Sequence, residues 1–201
     1  MELLGNAALL VIDVQEGVNQ PGRGRRNNPQ AEEQIGRLLD AWRAFERPVI
    51  HVKHNSQRLT SPFHATHPGN AIQAFAMPGP GEPLIEKSVN CAFVGTDLEA
   101  RLRGAGITTL VIVGFHTNHC VESTARLAGD LSFDTYVVSD ATAAFDRLGP
   151  DGRVYDAETI HGVSLASISE EFAAVVDTRA VLAAIDALGR APNGSDAPAL
   201  E

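Results

Sequence analysis

The residues that could do chemistry in this 201-residue chain centre on Cys120, in the stretch TLVIVGFHTNHCVESTARLAGDLSFDTYVVSDATAA from Thr109 to Ala144. An apolar run, Leu110 to Val113, is closed by Gly114, and a polar turn from His116 to His119 follows. From Val121 the pattern is helical, with Val121, Ala125 and Ala128 on one face. A second apolar run, Tyr136 to Val138, ends at Asp140. The spacing predicts strand, tight turn, helix, strand. Cys120 then falls in the first helical turn, at the carboxyl end of a parallel strand, the edge where open α/β sheets bind ligands. A thiol there faces the positive end of the helix dipole, which favours the thiolate. A cysteine can equally be a small buried hydrophobe, so nucleophilic chemistry requires acid–base partners from elsewhere in the chain.

Two such partners stand at strand ends. Asp13 closes the apolar run Ala7 to Val14, and Lys87 closes the short piece LIEKS from Leu84 to Ser88. Each has a plain alternative, a loop-bracing aspartate or a solvated lysine. His116 and His119 offer a competing Cys–His pair. His51, His54, His64 and His67 cluster around a long segment, 54–83, rich in Pro, Gly, Ser and His. Loops of that length in compact domains are usually functional, so this one is the expected pocket wall. The histidines lack H-x-x-x-H spacing and have no acid between Lys53 and Gly81. That favours hydrogen-bonding or pocket-lining roles over zinc ligation, and no metal is expected. The basic run Arg23 to Arg26 in the loop 17–29 could touch an anion, but reads as a solvated turn.

The elements that must hold these groups alternate. A helix is predicted over 30–46, with Ile35, Leu38, Leu39, Trp42 and Phe45 at three- and four-residue spacing. A strand at 49–52 follows Pro48. Thr96-Asp97-Leu98-Glu99 has the form of a capping box before a helix carrying Leu98 and Leu102, which Gly104 and Gly106 end. Later come a loop after Asp140, a helix over 155–168 with Ile160, Val163, Leu165 and Ile168 inward, a strand at 173–176, and a helix from Thr178 to Leu188. Alternation throughout predicts an α/β fold: three α/β/α layers around a doubly wound, mostly parallel sheet. Residues 1–188 form one expected domain, and 189–201 an expected disordered tail.

Taken together, these stretches resemble the isochorismatase-like cysteine hydrolase superfamily. The likeness spans roughly residues 7–178 and rests on ALLVIDVQEG, on the lysine segment EKSVNCAFVGTDLEARLRGAG, on VIVGFHTNHCVESTARLAGD, and on AETIHGVSLASI. The most specific part is the lysine segment followed by T-D-L, then G-x-x-T-x-x-C-V-x-x-T-A. The resemblance implies a Rossmann-like sheet and a catalytic triad of Asp13, Lys87 and Cys120. It also implies a cis peptide at Phe115–His116 and an oxyanion hole made by the backbone N–H groups of His116 and Cys120. Nicotinamidase-like members hold a metal through an aspartate and histidines after the second strand. Here that segment reads VKHNSQ, with His54 in place of the aspartate. Members that open the isochorismate vinyl ether commonly lack the cysteine. Its presence implies hydrolysis of a C–N bond in a small amide, ureide or carbamoyl compound, through a thioester. A vinyl-ether or ester hydrolase, or a binding protein on the same fold, is the alternative. His54, Asn55, Phe93 and Tyr155 are the expected pocket residues, and a homodimer or homotetramer is the expected assembly.

Composition bounds the rest. A formal net charge of -9 argues against nucleic acid and anionic membranes as partners. Two cysteines make no disulfide framework, and the start, MELLGNAALLVIDVQ, has no basic leader. A cytoplasmic setting is the expectation. Hydrophobic residues make up 44% of the chain, enough for a sizeable core.

Overall fold

β1 (Ala8–Ile12) is buried along its whole length, as a nearly unbroken apolar strand must be in the middle of a sheet covered on both faces. Its side chains alternate between two cores. Leu9 and Val11 join one, and Ala8, Leu10 and Ile12 join the other. β1 pairs in parallel with β2 (Val49–His54) on one side and β4 (Thr109–Phe115) on the other. β3 (Leu84–Lys87), β5 (Asp134–Ala143) and β8 (Ala174–Val176) complete a six-stranded parallel sheet in the order β3-β2-β1-β4-β5-β8. The coordinates are a computed structural model, and residues 5–188 are described. The expected tail, 189–201, lies outside them.

One face carries α1 (Ala31–Ala44) and α5 (Thr178–Leu188), which bring Ile35, Leu38, Leu39, Trp42, Val181 and Ile185 to the first core. Trp42 is fully buried and its indole N–H donates to the Ala7 carbonyl at 3.1 Å, so the ring adds apolar area without orphaning its polar atom. The other face carries α2 (Leu98–Gly104), α3 (Glu122–Asp130) and α4 (Ala157–Ile168) over the second core. Each fully buried Leu or Ile here contributes about 1.5–3 kcal/mol. Among the described residues, no helix is long and apolar enough to cross a membrane.

Three local expectations are corrected. Thr96 and Glu99 do not form a reciprocal capping box: the Thr96 hydroxyl accepts from the Leu98 N–H, while Glu99 pairs with Arg103 one turn along. The segment after Asp140 is not only loop. β5 runs on to Ala143, and a hairpin of β6 (Arg147–Leu148) and β7 (Val154–Tyr155) follows. In α4, Val163 points outward and is 62% exposed, whereas Ile168 is buried as expected.

Candidate active site

The site sits at the carboxyl edge of the sheet, where β1, β2, β3 and β4 end side by side. The sharp change of direction at the end of β1 places Asp13 in the left-handed region, at φ 51°, a conformation that aspartate tolerates better than most residues. Its N–H is held by the Val52 carbonyl at 2.9 Å. Next to it, Gly114 of β4 has φ 115°, and a Cβ there would lie 1.9 Å from the Ile12 carbonyl oxygen. Only glycine permits β4 to approach the end of β1 so closely.

Lys87 arrives from β3, with β2 between it and β1. Two strand spacings are roughly 10 Å, a distance suited to a lysine stem. In β3 the alternation buries Ile85 and Lys87 and turns Leu84 and Glu86 outward. The ammonium reaches Asp13 Oδ2 at 2.7 Å and His54 Nδ1, on the intervening strand, at 3.1 Å. Asp13 and Lys87 are 3% and 2% exposed, so this is a buried ion pair. Burial alone would lower the lysine's pKa, but the raising influences, led by the Asp13 charge, outweigh it. Burial, then the Lys87 charge, lowers the pKa of His54, whose Nδ1 is therefore an acceptor.

Cys120 follows β4 through a turn. The Phe115–His116 peptide is cis, and residues Thr117–Val121 make one π-helical turn before α3 begins at Glu122. The His116 carbonyl accepts from the N–H groups of His119 and Val121. Cys120 is 6% exposed, and its sulfur lies 3.8 Å from Asn90 Oδ1. Ligand atoms of Asp13, His54 and Cys120 all lie within 4.8 Å of one another. Asp13 Oδ1 is buried and has no hydrogen-bond partner among the described residues. An aspartate, a histidine and a cysteine so close could in principle hold a cation. Lys87 already brings a positive charge onto both Asp13 and His54, which disfavours one.

The electrostatics correct one expectation. The helix dipole was expected to favour the thiolate. Instead, burial first and the Asp13 charge second push the Cys120 thiol far above the ordinary cysteine range, against the opposing pull of Lys87. The shift favours the protonated sulfur, for which a neighbouring carboxylate is the available base.

Asp13, His54, His116 and Cys120 all line one cavity of about 790 Å³. The other expected pocket residues lie elsewhere. Asn55 accepts from Asn70 Nδ2 at 3.0 Å and braces the loop. Phe93 stacks on Phe133 in the second core, ring centres 5.9 Å apart. Tyr155 is 38% exposed on the hairpin and donates to Asp151 at 2.9 Å. The histidine cluster disperses as well. His51 bonds Glu82, His64 bonds Thr66, and His67 accepts from the Gly69 N–H. His116 and His119 meet Arg23 and Arg147 through their Nε2 atoms rather than the thiol.

Sequence reasoning missed Gln15, Asn70 and Asn90, and read Arg23 as surface. Gln15, fully buried, bonds both the N–H and the carbonyl of His54 and the carbonyl of Asn70. Asn70 Nδ2 donates to His54, Asn55 and Phe63. These two side chains stitch the long loop to the strand ends. The available signal was the amide of Gln15, two residues after Asp13, beside a run of buried apolar residues.

Comparison with known proteins agrees with this architecture. Residues 7–180 match the isochorismatase domain. An isochorismatase family protein of Bacillus subtilis, YrdC, is 44% identical over 85% of this chain and 91% of its own. Nicotinamidase 3 of Arabidopsis thaliana is 29% identical, covering 85% of this chain and 84% of its own. The crystal structure of an isochorismatase-family protein from Chromobacterium violaceum superposes with a TM-score of 0.90 at 39% identity, covering 93% of this chain and 97% of that one.

Proposed function

Because this chain belongs to the isochorismatase family, a family of hydrolases, we propose that it hydrolyses a C–N bond of a small amide, ureide or carbamoyl compound through a Cys120 thioester. The observation that carries the reading is the buried Lys87–Asp13 pair next to Cys120, with one Asp13 oxygen unpartnered among the described residues. Asp13 Oδ1 takes the Cys120 proton as the sulfur forms a bond to the carbonyl carbon. Lys87 fixes the carboxylate and compensates the new negative charge on sulfur. The backbone N–H groups of His116 and Cys120 receive the oxyanion, each such donor being worth about 2.7–4 kcal/mol. When the tetrahedral adduct collapses, the C–N bond breaks and the amine or ammonia leaves with the proton from Asp13. Water, deprotonated by Asp13, then attacks the thioester. The C–S bond breaks, the acid is released, and the proton returns to sulfur. His116 and His119 take no part as bases in this scheme, since their Nε2 atoms face arginines.

Ammonia release from a panel of small amides, ureides and nicotinamide, with wild type beside Cys120→Ala and each with and without a chelator, tests the reading. Cysteine-dependent, chelator-resistant release is expected. Equal release by Cys120→Ala, or silence across the panel, moves the assignment to an ester or vinyl-ether hydrolase or to a binding protein.

A further inference from the structure

The cavity beside Cys120 collects positive charge in a chain of net charge -9. Its lining contains Arg23, Arg58 and Arg147 but one carboxylate, Asp13, which Lys87 already meets. Among the described residues, no carboxylate lies within ion-pair distance of Arg23 or Arg147. The neighbouring arginines differ: Arg25 pairs with Glu158 and Asp146, and Arg26 with Glu32. Arg23 is half-buried, its guanidinium 4.8 Å from the centre of the Phe63 ring, and its Nε is buried with no partner.

The groups that do touch these arginines are neutral. Arg23 Nη1 lies 3.2 Å from His116 Nε2, and Arg147 Nη2 lies 2.7 Å from His119 Nε2. Both histidines are held below their ordinary pKa, by burial first and then by the arginine charges. Each therefore orients a guanidinium through an unprotonated nitrogen and cancels none of its charge. A second cavity, of about 240 Å³, is lined by the same four side chains with Gly22, Asn118 and Phe145. Arg23, half-buried with its Nε unpartnered, is unfavourable there unless an anion completes it, and Arg147, exposed on β6, holds a second uncompensated guanidinium over the same cavity. The planar fork of arginine matches a carboxylate.

We propose that the substrate hydrolysed at Cys120 carries a carboxylate, which Arg23 and Arg147 bind so that its C–N bond lies against the sulfur. The substrate class is an amido or ureido acid rather than a neutral amide. This rests on the hydrolase reading above, but the arginine wall can be tested without turnover.

The test uses two matched pairs, succinamate with butyramide and N-carbamoylglycine with N-ethylurea. Binding to the full-length Cys120→Ala protein is measured by calorimetry, and hydrolysis by the wild type is followed in parallel. The charged member of each pair is expected to bind at least ~10-fold more tightly, as charge-assisted hydrogen bonds imply. Added salt should narrow the gap. Arg23→Gln and Arg147→Gln should erase the preference, raising KM for the charged member by a larger factor than for the neutral one. Equal binding within both pairs, no binding by either acid, or a preference that survives both arginine substitutions overturns the proposal. The wild-type comparison and its salt dependence stand even where a variant misfolds. Selective binding without hydrolysis keeps the carboxylate site and sinks the hydrolase; hydrolysis without selectivity does the reverse.

Discussion

At the scale of residues, the resting state of Cys120 depends on a contest between one anion and one cation. Burial and Asp13 hold the proton on sulfur, and Lys87 pulls the other way. Removing Asp13's charge should therefore lower the thiol's titration midpoint, and removing Lys87's charge should raise it further. In a Cys91→Ser background, the pH dependence of thiolate absorbance reads this directly: Asp13→Asn is expected to move the midpoint down and Lys87→Met up. A midpoint that ignores both substitutions would show that burial alone sets it. Catalysis should respond differently. Asp13→Asn makes the thiolate easier to form but removes the group that delivers a proton to the leaving amine. Its kcat is expected to fall by roughly 10⁴-fold, as does that of Cys120→Ala, since members of such a unit fail together. Either variant keeping near wild-type turnover refutes the triad.

At the scale of elements, two features bring the strand ends into place. Gly114 lets β4 close on β1, and Gly114→Ala would set a methyl group 1.9 Å from the Ile12 carbonyl oxygen at a positive φ. The expected cost is about 3 kcal/mol or more, read as a lower Tm together with lost activity, because Asp13 is the next residue. The end of the long loop is anchored by Glu82. Its carboxylate accepts from Arg43 Nε and Nη2 at 2.7 and 2.8 Å, from the Gly79 N–H at 2.7 Å, and bonds His51 Nε2 at 2.8 Å. Burial opposes ionisation there, but these partners prevail and hold its pKa down to about 2. That is below the ordinary value of about 4.3. Its stabilisation is therefore complete above the ordinary value and is lost as pH falls toward about 2. Glu82→Gln should cost about 1.5–3 kcal/mol near neutral pH and flatten that acid limb in a urea titration series. A variant with an unchanged acid limb would remove Glu82 from the account.

At the scale of the whole molecule, the outward side chains bear on assembly. Leu148, Val154 and Val163 are 74%, 70% and 62% exposed, on the hairpin and on α4. Apolar side chains left outside a core are candidates for burial against a second copy. The expected homodimer or homotetramer should appear in light scattering as a multiple of 21.4 kDa, and Val163→Glu should shift it toward the monomer. A wild-type mass of 21.4 kDa would rule out the assembly.

The sequence by itself determined the sheet, its parallel sense and the edge that carries the site. Apolar runs closed by Asp13, Lys87 and Gly114 are local signals, and buried parallel strands leave little freedom in how they read. It also marked Cys120, because a strand-to-helix turn is written in contiguous residues. Which loop residues face the cavity was decided only in three dimensions. Arg23 and Arg26 are three positions apart in one basic run, yet one is paired with Glu32 and the other faces the pocket. Phe93 and His54 were equally plausible pocket residues by type, but Phe133 takes the first into the core. The protonation state of Cys120 was likewise a tertiary outcome. Helix position argues for a thiolate, but the solvent removed by folding and the carboxylate brought from β1 reverse the sign, and neither is adjacent to the cysteine in the chain.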